Sequence, residues 1–268
     1  MIKDIVVNLS VGKQAGPAAD YAVSVAAAFD AHLAGIAFLY DPIPRAGFIE
    51  TQERENLAAT KIAIDRFAKA AASAGIAADS VTLRAGVAGA GNQFGRLARR
   101  FDLAVVGQGE PETSAVEEVI IEAALFDSGR PVIVVPYIQK APLKLDRVMV
   151  TWDGGRPAAR AIGDAMPLLK RAGRIEVVIV ANERSKQDEI EGADMAQHLA
   201  RHGLNVEVKR SVLADIDVAE MILSHAADAG TDFIVMGGYG HSRLREFVLG
   251  GVTRSILHSL TAPALMSH

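Results

Sequence analysis

The stretch TDFIVMGGYG, residues 231–240, is an apolar run that ends among glycines, and FDLAVVGQG at 101–109 has the same form. A strand buried on both faces, closed by a turn that needs backbone freedom, is written this way. Two further pairs keep the same order along the chain. KDIVVNLS near the start is answered by DRVMVTWDGG from 146, and RPVIVVP from 130 by APALMSH from 262. The chain is an internal repeat, and the fold has to be read twice. The copies lie further apart at their first strand than at their fourth, which an extra segment near DPIPRAGFIE in the first half explains. Between the copies, YIQKAPLKL (137–145) carries a proline and a scatter of Lys and Gln and reads as a linker. The expected domains are 1–138 and 145–268.

Within the second copy, β-branched runs at 147–152, 175–181, 205–211, 232–237 and 262–266 predict strands. The stretches between them, such as 156–172 and 186–202, space their apolar residues by three and four, as helices do. Strands that are almost wholly apolar are covered on both faces, which implies a parallel sheet with helices on each side. The predicted class is α/β: two tandem doubly wound domains, each a five-stranded parallel sheet flanked by helices.

Composition narrows the function classes. Half of the 268 residues are hydrophobic and the formal net charge is −4, so a core is affordable and a general attraction to nucleic acid is not expected. The chain has no cysteine, which removes disulfides, thiolate chemistry and Cys-based zinc sites. MIKDIVVNLS reads as a strand and not as a signal peptide, and no run is long enough for a bilayer. A soluble cytoplasmic protein is the expectation, with neither nucleic acid nor membrane as a partner.

The glycine segment is the chemical candidate. In an open parallel sheet, ligands bind outside the carboxyl ends of the strands. Glycines there let backbone N–H groups approach an anion, and VTRSILHSL after Gly250 and Gly251 predicts a helix whose N-terminus favours one. Residues 237–254 hold three Arg and one Glu, a formal charge of +2. The competing reading is a turn whose Leu244, Phe247 and Leu249 pack as core. The segment is neither a P-loop nor the dinucleotide fingerprint. Asp153, just before GGRPAARA, reads either as a ligand acceptor or as a carboxylate serving the next helix, which has Pro157 in its first turn. Trp152, the single tryptophan, reads as core or as a pocket edge.

The spacing Gly237-x-x-Gly240, nine residues, then Gly250 closely resembles the nucleotide-binding motif of the universal stress protein family. Asp153 matches the aspartate that ends the first strand in that family, and the similarity extends over both halves. The resemblance implies ATP, with or without Mg2+, as the ligand. It implies Thr151, Trp152 and Asp153 near base and ribose, Val180 beside the adenine, and Met236 and Gly237 against base and ribose. Gly240, Gly250, Gly251, Val252 and Thr253 would cradle the phosphates. One position departs: the family's Ser or Thr after the third glycine is Gly251 here. A hydrogen bond to a charged group is worth about 1.5–3 kcal/mol, so its loss weakens binding about tenfold or more. The resemblance also implies pairing between family domains, satisfied within the tandem chain as a pseudo-dimer or between two chains, and an unidentified protein partner.

The first half lacks the motif. In GQGEPETSAVEEVIIEAALFDSG the second glycine is Glu110, and residues 107–126 carry five Glu and no Lys or Arg. Ser10 stands where the second copy has Asp153. A polyphosphate would meet like charge there, so this domain is expected to be structural or regulatory. Among the seven histidines, His198 and His202 are four apart on one helix and read as a polar face or as a metal-ligating pair, the polar face being favoured and no metal expected. Arg96, Arg99 and Arg100 read as a solvated helix end, and DPIPRAGFIETQERE as a loop. No nucleophile and base are placed together, so no catalytic residue is assigned, and slow ATP hydrolysis rests on the resemblance alone. The expectation is a nucleotide-responsive stress protein; a scaffold of the same fold that binds no nucleotide is the alternative.

Overall fold

A computed structural model describes residues 1–11, 16–41, 49–110, 115–181, 186–212, 217–238 and 251–268. The chain forms two compact units, Met1–Leu143 and Lys144–His268. In the first, strands β1 (Asp4–Leu9), β2 (His32–Tyr40), β3 (Ala78–Ala85), β4 (Leu103–Gly107) and β5 (Val132–Val135) alternate with helices. These are α1 (Pro17–Phe29), α2 (Ile49–Ala74), α3 (Val87–Ala98) and α4 (Ala115–Asp127). The strands pair in parallel in the order β3-β2-β1-β4-β5.

The second unit repeats the plan. It has β6 (Arg147–Trp152), α5 (Arg156–Leu169), β7 (Arg174–Ala181), α6 (Lys186–Arg201) and β8 (Val206–Val212). It continues with α7 (Val218–Asp228), β9 (Phe233–Gly237), α8 (Gly251–Ser259) and β10 (Ala264–Ser267). Its parallel order is β10-β9-β6-β7-β8. Both units are doubly wound five-stranded α/β folds.

Apolar continuity sets these layers. Ile5, Val6 and Val7 in β1 and Val148, Met149 and Val150 in β6 are all buried, so consecutive side chains on opposite faces are both covered. The outer strand β3 is exposed along most of its length and carries Asp79 and Arg84, charges that discourage edge pairing. In the first unit α1 packs on α2 and α3 on α4. In the second, α5 lies against β9 and β10, and α7 against α8.

One local expectation is corrected. The segment read as a loop is helical from Ile49, because ETQERE after the prolines is made of strong helix formers. Its second half opens α2, whose 26 residues against 16 in α6 lengthen the first copy. Phe48 lies outside the described residues. No described helix is long and apolar enough to cross a membrane.

Candidate functional site

Strand order reverses between β6 and β9, and the crevice beyond their carboxyl ends is the place where this class of sheet binds ligands. β6 ends in Thr151 and Trp152, both buried, and Asp153 is the first exposed residue beyond. Gly154 takes φ +74°, a left-handed turn that glycine adopts without strain. Gly155 follows as the N-cap of α5, and its N–H donates to Asp153 Oδ1 at 2.8 Å. This is an Asx turn, in which the aspartate's own oxygen closes the bend. Asp153 therefore shapes the approach to α5 but is not its N-cap. Among the described residues Gly155 is its one hydrogen-bond donor, and Asp153 is exposed.

The register places the rest. Val150 pairs with Val235, so Trp152 and Gly237, each two residues on, share a level and a face, and Ser267 pairs with Gly237 from β10. A Cβ at Gly237 would lie 2.6 Å from Ala158 N and 2.8 Å from the Pro157 carbonyl carbon. The first turn of α5 rests on this glycine, so packing alone demands it. On either side of it Trp152, only 9% exposed, and Ser267 are buried, with Trp152 Nε1 and Ser267 Oγ lacking hydrogen-bond partners among the described residues. Thr151 and Met236 are buried on the opposite face. Val180 is in β7, one residue past the Ile179 that pairs with Trp152. Ser267 and the Asp153–Gly155 turn were not singled out from sequence; the Asp-Gly-Gly run was the available signal for the turn.

Helix α8, described from Gly251 to Ser259, lies on the crossover from β9 to β10, whose carboxyl-side start the parallel pairing requires. A Cβ on Gly251 would meet nothing within 4 Å, and Val252 is exposed beside it. Thr253 is turned inward at 4% exposure. Gly240 and Gly250, with His241, Arg243 and Arg245, lie outside the described residues.

The first unit fills the equivalent ground differently. Gln108 N–H donates to Val135 O as Gly238 N–H does to Ser267 O, both at 2.8 Å, so the buried Gln108 stands where the second unit has glycine. Its Oε1 also accepts from Tyr137 N–H at 3.3 Å. With Ser10, Gly107 and the first turn of α1 it lines a small cleft. Glu117, in the first turn of α4, is half-buried, and burial pushes its carboxyl above the usual range. The Tyr40 hydroxyl at the end of β2 is pushed up strongly, first by burial and then by the Glu117 charge. A carboxylate thus stands at the helix terminus that would otherwise face an anion. Among the described residues no group of three or more His, Asp or Glu is placed to hold a metal ion.

Fold and switch point together define a doubly wound, parallel α/β protein. Residues 144–268 match the universal stress protein family. A universal stress protein from Archaeoglobus fulgidus superposes with a TM-score of 0.75 at 16% identity, covering 98% of this chain and 97% of its own. A putative universal stress protein from Pseudomonas aeruginosa UCBPP-PA14 gives 0.65 at 14%, covering 98% and 92%. PA1789 from Pseudomonas aeruginosa PAO1, described as functionally unknown, gives 0.66 at 14%, with the same coverages. No match was found among curated proteins. The second unit belongs to the universal stress protein family, and the first repeats its fold, so the chain has the architecture of a tandem universal stress protein.

Proposed function

We propose that the second unit binds an adenine nucleotide, ATP with or without Mg2+, and that the chain acts in the cytoplasm as a nucleotide-responsive stress protein. The observation that carries this reading is Asp153: an exposed carboxylate fixed by Gly155 N–H at the switch point, where a ribose hydroxyl can donate to it. Thr151, Trp152, Val180, Met236 and Gly237 surround the same strand ends. The N-terminal residues of α8 add Gly251, Val252 and Thr253, whose backbone N–H groups would favour phosphate. Gly240 and Gly250 complete the motif spacing. Binding favours one conformation or partner over another to the extent that its affinity differs between them.

Titration calorimetry with ATP–Mg2+ tests this. The expected result is saturable binding at one site per chain, weakened at least about tenfold by Asp153→Ala. Asp153→Asn keeps an oxygen for the Gly155 turn while removing the charge, so it separates ligand binding from the shape of the α5 entry. Absence of heat up to millimolar ATP overturns the reading. A scaffold that binds no nucleotide is the second reading. It is favoured by Gly237, whose identity packing explains, and by the missing hydroxyl at Gly251.

A further inference from the structure

Helix α6 ends with an arrangement that the nucleotide reading does not use. Leu199 is fully buried and pins the last turn to its unit, between His198 and His202 on the exposed side. His202 N–H donates to Leu199 O at 3.0 Å, and Gly203, at φ +78°, donates to Ala200 O at 2.9 Å. The helix end is fixed by its own backbone, so the two side chains are presented at a set spacing. Residues four apart share a helix face. Their rings do meet, edge to face, with centroids 4.9 Å apart and planes at 72°.

The ring nitrogens set this pair apart. His32 engages both ring nitrogens with carboxylates, Asp4 at 2.9 Å and Asp79 at 3.0 Å, and His225 engages its Nε2 with Glu176 at 2.7 Å. Neither His198 nor His202 has a hydrogen-bond partner among the described residues. We propose that His198 and His202 form a surface site for a first-row transition dication of the Zn2+, Ni2+ or Cu2+ kind, chelated by both imidazoles at the C-terminal end of α6.

Imidazole nitrogen suits these ions, at bond lengths of about 2.0–2.1 Å, and two histidines four apart on one helix face are a spacing that holds such an ion. The free carbonyls of a helix C-terminus carry partial negative charge, which favours a cation there. Asp194 lies one turn earlier on the same face. Arg201, between the two histidines in sequence, donates its Nη2 to Gln197 Oε1 at 3.0 Å. Because no third protein ligand stands within reach among the described residues, water or an incoming group fills the remaining positions. Such a site is open. Sequence spacing favoured a polar helix face; the ring contact and the unspent nitrogens favour the metal.

Calorimetric titration of Zn2+ into the EDTA-treated full chain, without nucleotide, tests the site independently of ATP. The expected result is one ion per chain, with affinity reduced more than about tenfold by His198→Ala and equally by His202→Ala. Both positions are exposed, so circular dichroism should show both variants folded. Cu2+ electron paramagnetic resonance should show two-nitrogen ligation that either substitution removes. No saturable binding overturns the proposal, and so does binding that survives both substitutions or depends on only one histidine.

Discussion

Glycine identity has two separable causes in this protein, and two residues show them. At Gly237 a Cβ would collide with the backbone of Pro157 and Ala158, atoms that cannot swing aside. Gly237→Ala should therefore cost about 1–3 kcal/mol in urea denaturation, as overpacking does. Gly251 has open space around it in the first turn of α8. Gly251→Ala should be neutral or stabilising by up to about 1 kcal/mol, the helix-propensity difference. The motif reading treated both alike, and sequence spacing could not distinguish a glycine cleared for a helix from one cleared for a ligand.

His32 makes a second prediction at this scale. It links the starts of three neighbouring strands by bonding Asp4 on β1 and Asp79 on β3. The hydrogen bond to Asp4 raises its pKa above 6.5 more than any other cause, with Asp79 adding to it and partial burial opposing. Only the imidazolium can donate from both nitrogens at once. Its contribution to stability is thus complete below the unfolded value near 6.5 and lost as pH rises through the higher folded value. Urea midpoints should fall across that window for the wild type, and the fall should be smaller for His32→Gln.

Among the elements, α3 and α4 approach most closely where glycine permits it. A Cβ at Gly95 would lie 2.8 Å from Ala123 O, and one at Gly91 only 2.9 Å from Val119 O. Helix propensity favours Gly95→Ala by about 1 kcal/mol, and the backbone contact opposes it. The contact should win, giving net destabilisation, whereas Gly163→Ala in α5, where a Cβ meets nothing within 4 Å, should stabilise. Equilibrium denaturation of the two variants checks the opposite signs. Helix α2 carries the other lesson of this scale: the prolines near its start suggested a loop, yet helix-forming residues from Ile49 took over within a few positions.

For the whole molecule, duplication has left two copies of one scaffold with opposite endowments at the equivalent strand ends. The second presents Asp153, Gly237 and an open first turn at Gly251; the first presents Ser10, Gln108 and the half-buried Glu117. On the nucleotide reading, ATP–Mg2+ should raise the thermal midpoint with a stoichiometry of one per chain. The rise should grow with ligand concentration as binding to the native state requires. Two equivalents per chain would show that the first unit also binds.

Strand existence, the doubly wound parallel class and duplication were legible in the sequence because each follows from a local pattern. Apolar runs such as IVVNL and FIVM can only be covered on both faces, and their recurrence in the same order declares the repeat. The candidate site was legible in part, through Asp153 and the glycine spacing, since turns and helix starts are written in short motifs. What tertiary structure decided was contact between residues far apart in the chain. The seating of α5 on Gly237, the alignment of Ser267 with that glycine and the occupation of the first unit's strand ends by Gln108 all depend on sheet register. Register and close approach arise from packing many side chains at once, so no single stretch of sequence encodes them.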